Sequence, residues 1–276
     1  MWGVAATIRE VLFWIGGTSE LGSKIGSDQF GEVLLTSPKY SDLRKLNHYE
    51  LQVFSQGGED GIIAEIFRRI GTTDRRFVEF GVQDGMETNT TRLLSLNWSG
   101  VWFEANAADV ARAKEQFRGP IAEGRLSIEQ VFVTAENATT LLEEAGVPQE
   151  FDLLSLDIDR NTYHLWRALS AYRPRVVVVE YNASFPSCDE WIVEYDPEKV
   201  WNETMYFGAS LKAYENLARE FGYALVGCNL TGANAFFVRA ELLADHFAPP
   251  FTAENHHEPP RYWLNWRSGH KRSWGD

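Results

Sequence analysis

Arg76-Phe77-Val78-Glu79-Phe80-Gly81-Val82-Gln83-Asp84-Gly85 (residues 76–85) is the stretch on which the fold turns. Five β-prone residues run into a turn carrying two glycines, and a helical pattern follows near 89–96. Strand, turn and helix in that order open a βαβ unit, the building block of a mainly parallel sheet. The same alternation recurs along the chain. Further candidate strands read GVWFE (100–104), LSIEQVFV (126–133), DLLSLD (152–157), RVVVVEY (175–181), YALVGC (223–228) and NAFFVR (234–239). Helical patterns cover 107–117, 137–145, 162–172 and 209–221, and EDGIIAEIFRRIG precedes the first strand. The four consecutive valines at 176–179 are apolar on both faces, as a strand covered by helices on each side must be. Only residues 229–233 separate the last two strands. That gap is too short for a helical crossover and predicts an antiparallel hairpin.

Length and composition set the outer bounds. At roughly 100–200 residues per domain, 276 residues make one large α/β unit or two small domains. Hydrophobic residues at 44% and charged residues at 24% suffice for a substantial core and exclude disordered and fibrous classes. The net charge of -13 lacks the basic footprint that a phosphate backbone demands, so nucleic acid is not an expected partner. Two cysteines, Cys188 and Cys228, make no disulfide framework, and the expected setting is a reducing cytoplasm.

Three parts are expected: a helical extension at 1–50, the α/β unit at 51–245, and an arm or lid at 246–276. The opening MWGVAATIREVLFWIGG is apolar, but Arg9 and Glu10 interrupt it well short of the roughly 20 residues of a membrane span. It reads as an amphipathic helix packing on protein, and this helix or the C-terminal arm offers a route to a homo-oligomer. Residues 183–207 and 246–276 are long, irregular and aromatic, the usual character of a functional insert or lid.

In open α/β sheets ligands sit beyond the carboxyl ends of the strands. The first such turn holds Gly81 and Gly85 but lacks the third glycine of a dinucleotide fingerprint. The second strand ends in Glu104, where a carboxylate can accept both hydroxyls of a ribose. Glycine turn plus acid one βαβ step later points to an adenosine-type ligand. Ser55 and Gln56 precede a helix N-terminus, where free N–H groups suit a carboxylate; an N-cap role for Ser55 is the equal alternative.

The motif E-F-G-V-Q-D-G, followed by W-S-G-V-W-F-E-A-N, resembles the first two motifs of class I S-adenosylmethionine-dependent methyltransferases. SQGGEDGIIAEIF, FDLLSLDIDRNTYHLWRAL and PRVVVVEYN are similar to the FkbM-like branch, over about residues 53–240. The resemblance implies a Rossmann-like three-layer sandwich with a seven-strand mixed sheet, the last strand antiparallel. It implies that Glu79, Gly81 and Gly85 line the methionine part of the cofactor, that Glu104 holds the ribose, and that Thr134 and Ala135 border the adenine. Gln83 and Ala105 complete the expected cofactor set.

Strands four and five end in Asp157-Ile158-Asp159 and Glu180-Tyr181-Asn182. If the two strands are neighbours, three carboxylates and an amide converge, a costly crowding of charge without protons or a cation. Hard oxygen ligands of this kind suit Mg²⁺, and the set resembles that of metal-dependent O-methyltransferases such as the catechol enzyme. Asp157, Asp159, Glu180 and Asn182 are therefore the candidate metal ligands; acids that serve backbone or substrate without metal are the alternative. Asp159 and His164 are the candidate bases, because an aliphatic or sugar hydroxyl must lose its proton to attack a methyl group. Arg160, where related sequences often carry glycine, is a candidate to bind an anionic acceptor or to replace the metal's charge. The leading expectation is an O-methyltransferase, Mg²⁺-assisted, acting on a small-molecule or saccharide acceptor. A glycosyltransferase gripping its nucleotide sugar through Asp157-x-Asp159 is the runner-up, and a catalytically silent family member is the third reading.

Overall fold

The computed structural model describes residues 29–265 and 272–274. The apolar opening segment at 1–17, and with it the expected amphipathic helix, lies outside the described residues. Described residues 29–35 are helical, followed by short 3₁₀ turns at Pro38–Tyr40 and Leu46–Tyr49. No helix among the described residues is long and apolar enough to cross a membrane.

Seven strands form one sheet among the described residues: β1 (Arg76–Phe80), β2 (Ser99–Glu104), β3 (Leu126–Gln130), β4 (Leu153–Leu156), β5 (Val176–Glu180), β6 (Tyr223–Cys228) and β7 (Asn234–Arg239). Their spatial order is β3-β2-β1-β4-β5-β7-β6. The first five pair in parallel, while β7 runs antiparallel to both β5 and β6 and sits between them. The fold is thus a Rossmann-like mixed sheet whose last strand is antiparallel. The hairpin inserts β7 beside β5 and leaves β6 at the edge.

Eight α-helices are described beyond residue 50: α1 (Glu59–Ile70), α2 (Thr91–Ser95), α3 (Ala107–Gln116), α4 (Arg118–Ala122), α5 (Ala138–Glu144), α6 (Thr162–Ala168), α7 (Leu211–Glu220) and α8 (Ala253–His256). Alternation along the strands sorts side chains into two cores. Val177 and Val179 enter one core with α5, α6 and α7. Val176 and Val178 enter the other with α1 and α3. Each fully buried valine contributes roughly 1.5–3 kcal/mol of burial, so both faces of β5 hold the three layers together.

Two observed ends differ from the sequence reading. The third strand stops at Gln130 rather than at 133, because Glu104, the last residue of β2, pairs with Gln130 and nothing beyond remains to continue the ladder. The helix expected over 162–172 ends at Ala168, where the backbone leaves the helical region at Leu169.

Candidate functional site

The central turn after β1 is built by a close approach of two backbone segments. Gly81 has φ +80, and a Cβ there would lie 1.7 Å from the carbonyl oxygen of Asp157 at the end of β4. The Asp157 N–H donates to the Phe80 carbonyl at 3.0 Å, locking the two strand ends side by side. Glycine is therefore required by the neighbouring strand. Gly85, φ +81, is required by packing instead: a Cβ would meet Trp102 at 2.6 Å and Phe117 at 2.7 Å. It lies away from the cavity described next.

A cavity of about 520 Å³ opens over the carboxyl ends of β1, β2, β4 and β5. Gln56, Gly81, Gln83, Glu104 and Ala105 are among the residues that line it. The Glu104 carboxylate is held by two backbone donors, Gln83 N–H to Oε2 and Asn106 N–H to Oε1, both at 2.8 Å. Gln83 adopts φ 50, a left-handed conformation, in presenting that donor. Asn106 then caps α3, its Oδ1 accepting from the Ala108 N–H at 2.9 Å. Val131, Phe132 and Val133, the residues that overrun β3, form the adjoining wall.

Three further acids line the same cavity. One carboxylate oxygen from each of Asp157, Asp159 and Glu180 lies within 4.8 Å of the other two. Burial, and then the charges of Asp159 and Glu79, push the Asp157 carboxyl up to about 7. Burial, and then the charges of Asp157 and Asp159, raise Glu180 well above the carboxylate range. Asp159 is raised by burial and by Glu104, and its φ of 56 is unusual for a side-chain-bearing residue. Among the described residues no lysine or arginine forms an ion pair with any of the three. Arg160 does not compensate them: its guanidinium donates to the Glu194 carbonyl at 3.1 Å and stacks over Tyr206. Three crowded carboxylates without a counter-charge fit a hard divalent cation, which needs oxygen donors and tolerates few of them from protein.

Several residues expected at the site are engaged elsewhere. The Asn182 amide donates to the Met205 and Phe207 carbonyls at 2.7 and 3.1 Å, and its oxygen accepts from the Ser184 N–H. It anchors the 183–207 insert and is absent from the acidic cluster. The His164 ring bonds the Val193 carbonyl at 2.8 Å and lies beside Tyr195, off the cavity wall. Ser55 is fully buried, its Oγ accepting from the Asp60 N–H in the first turn of α1, although the N-cap position itself is Gly58. Glu79 is sealed by Asn89 N–H, Thr90 N–H and Ser155 Oγ, all within 3.1 Å, and so ties β1 and β4 to the 88–90 loop. It faces a smaller cavity of about 60 Å³ next to Gly81. Thr134 and Ala135 bond Asn137 and Tyr195, and the preceding three residues take the wall position.

Trp201, a candidate stacking face from its sequence along with Trp191, Tyr195 and Tyr206, reaches the wall, while the other wall residues escaped sequence reasoning. Asn161, Lys199, Val200 and Trp201 arrive from the turn after β4 and from the insert, and Tyr262 and Asn265 from the C-terminal segment. That segment is pinned by Glu258, which accepts from Tyr40 at 2.7 Å and Arg261 at 2.9 Å, while its backbone oxygen accepts from Tyr181 at 2.6 Å. Gly232, in the β6–β7 turn, lets the Pro259 carbonyl pass where a Cβ would lie only 2.5 Å away. The aromatic character of 183–207 and 246–276 was the only signal available for these residues.

No family model matches the sequence, and no curated protein matches it. Solved structures do. A Staphylococcus aureus protein provisionally described as a caffeoyl-CoA O-methyltransferase aligns at 14% identity and TM-score 0.47, covering 79% of this chain and 99% of that one. A Bacillus cereus O-methyltransferase in complex with SAH aligns at 14% identity and TM-score 0.43, over 78% and 89%. The N-terminal domain of EvdMO1 with SAH bound aligns at 13% identity and TM-score 0.41, over 69% and 81%. At these scores the chemistry of this chain is read from its own residues.

Proposed function

We propose that this chain is an S-adenosylmethionine-dependent O-methyltransferase that methylates a hydroxyl of a sugar or glycosylated small molecule, with Mg²⁺ held by Asp157, Asp159 and Glu180. The observation that supports it most strongly is the fixed Glu104 carboxylate on the wall of the cavity that also holds the three acids. Each Glu104 oxygen accepts one backbone hydrogen bond and keeps a lone pair, so the pair can grip the two hydroxyls of a ribose. The apolar Val131–Val133 wall beside it suits the flat face of a base. A donor gripped there would have the acids of the cavity beside it.

The cation, when bound, lowers the pKa of a coordinated hydroxyl and fixes its position. Asp159, the most exposed of the three acids and raised by burial and by Glu104, is placed to take the hydroxyl proton as the methyl group passes from sulfur to oxygen. Gly81 and the β1–β4 lock hold the donor end and the acid end at a constant separation, which in-line transfer requires. The free thiols, exposed Cys188 and buried Cys228, accord with a cytosolic setting.

The test is a calorimetric titration with S-adenosylhomocysteine, followed by methyl transfer to hydroxylated acceptors in EDTA and after Mg²⁺ is restored. Tight binding that Glu104→Ala weakens by about tenfold or more supports the donor assignment. Absence of binding, or binding indifferent to Glu104→Ala, refutes it. Undiminished turnover in EDTA removes the cation alone.

A further inference from the structure

The smaller cavity lies against the larger one at Gly81. It measures about 60 Å³, and Gln56, Gly81, Gln83 and Asp157 line both. A water molecule's share of liquid volume is about 30 Å³, so the space suits one small polar group. Glu79, Asn89 and Asn234 also line it, the last from the first position of β7, opposite Glu180 of β5. No lysine or arginine lines it among the described residues.

The Asn234 side chain is fixed at one end. Its Nδ2 donates at 3.0 Å to Oε1 of Glu59, a buried carboxylate that also accepts from the Asn229 amide and the Gly57 N–H. That donation settles which end of the amide is oxygen, because a reversed amide would set oxygen against carboxylate. The residue is 7% exposed, and its Oδ1 is buried and accepts no hydrogen bond among the described residues. A buried acceptor left alone costs about 1–3 kcal/mol, so its place on a cavity wall calls for an occupant that donates. Glu79 makes no such demand, since Asn89 N–H, Thr90 N–H and Ser155 Oγ already serve its carboxylate. Filling the cation site leaves the demand standing, because Asn234 is not among the three acids there.

The amino-acid end of an S-adenosylmethionine gripped at Glu104 offers two groups. Its α-ammonium carries N–H donors, and its ionised α-carboxylate carries none. The Asn234 oxygen can serve only the first. We infer that Asn234 is a donor-binding residue, its Oδ1 accepting a hydrogen bond from the α-ammonium of S-adenosylmethionine in the small cavity beside Gly81. This rests on the methyltransferase reading above and deepens it: the site selects adenosyl thioethers that keep the free amine. Glu59 is the positioning residue that holds the amide in this orientation.

The experiment is a set of four calorimetric titrations in Mg²⁺. Full-length parent and Asn234→Ala are each titrated with S-adenosylhomocysteine and with its desamino analogue, in which hydrogen replaces the α-amino group. The parent should bind S-adenosylhomocysteine about tenfold or more tightly than the analogue, the scale of a hydrogen bond to a charged group. Asn234→Ala should weaken S-adenosylhomocysteine by about tenfold and the analogue by less than about threefold, so that the preference collapses. General loosening of the site would weaken both thioethers alike, so the ratio reads the contact itself. If Asn234→Ala does not fold, Asn234→Ser is read in its place, since its hydroxyl can still donate to Glu59. Equal affinity of the parent for the two thioethers, or a preference that survives the substitution, would overturn the inference. Failure of the parent to bind S-adenosylhomocysteine would instead sink the methyltransferase reading beneath it.

Discussion

Asp157→Asn tests whether the acid cluster is a charge burden that only a cation relieves. Asp157 has its carboxyl raised from 3.8 to about 7, by burial first and by neighbouring carboxylates second. The folded protein thus keeps a proton that the unfolded chain releases, so stability falls as pH rises from near 4 to near 7 and levels off above. Holding that proton up to about pH 7 corresponds to about 4 kcal/mol of stability absent at pH 8 in metal-free protein. Asparagine cannot ionise and matches the carboxyl in shape. In EDTA at pH 8, Asp157→Asn should therefore be more stable than the parent by about 2–4 kcal/mol, with the gap closing toward pH 4. Urea unfolding across that pH range is the assay. Mg²⁺ should close most of that gap, since a cation at about 100 times its Kd adds about 2.7 kcal/mol to the parent and little to a variant short of one ligand. A variant less stable than the parent at pH 8 in EDTA, or a parent whose stability stays level from pH 5 to 8, would refute the reasoning.

Gly81→Ala should lower the thermal midpoint by about 6 °C or more, because the added Cβ must part the ends of β1 and β4 at a backbone conformation that itself costs about 1–2 kcal/mol; an unchanged midpoint would show that the approach to Asp157 is not tight. Asp152→Asn should cost about 3 kcal/mol in chemical denaturation. That carboxylate is fully buried, accepts from Thr73 and Arg75, and pairs with Arg175 at 3.3 Å. A loss below about 1 kcal/mol would mean the loop before β1 holds without it. His164→Ala should leave methyl transfer within about threefold of the parent, because its ring serves the Val193 carbonyl; loss of turnover with normal folding would return it to the list of bases.

Legibility followed the range of the interactions involved. The seven strands and the antiparallel hairpin were readable, since period-two alternation, the valine run at 176–179 and the short 229–233 gap are local signals. Glu104 and the triad Asp157, Asp159 and Glu180 were readable too, because parallel strands end on one edge and β4 and β5 are adjacent. Asn182 and His164 were not, although they stand one turn from the cluster. A side chain's partner is chosen by what folds back onto it, and here the 183–207 insert supplies the carbonyls that both residues serve. Thr134 and Ala135 missed the wall for a matter of register: β2 ends opposite Gln130, so residues 131–133 already project past the sheet.

The amino-acid order by itself determined the layered sheet, its polarity and the edge on which its acids gather, because propensity and periodicity act between near neighbours along the chain. Only the tertiary structure decided that Gly81 answers to the Asp157 carbonyl, that Arg160 turns away from the acids, and that Trp201 and Tyr262 meet over them. Those outcomes depend on contacts between segments far apart in sequence, where packing space and hydrogen-bond satisfaction, rather than local preference, select the arrangement.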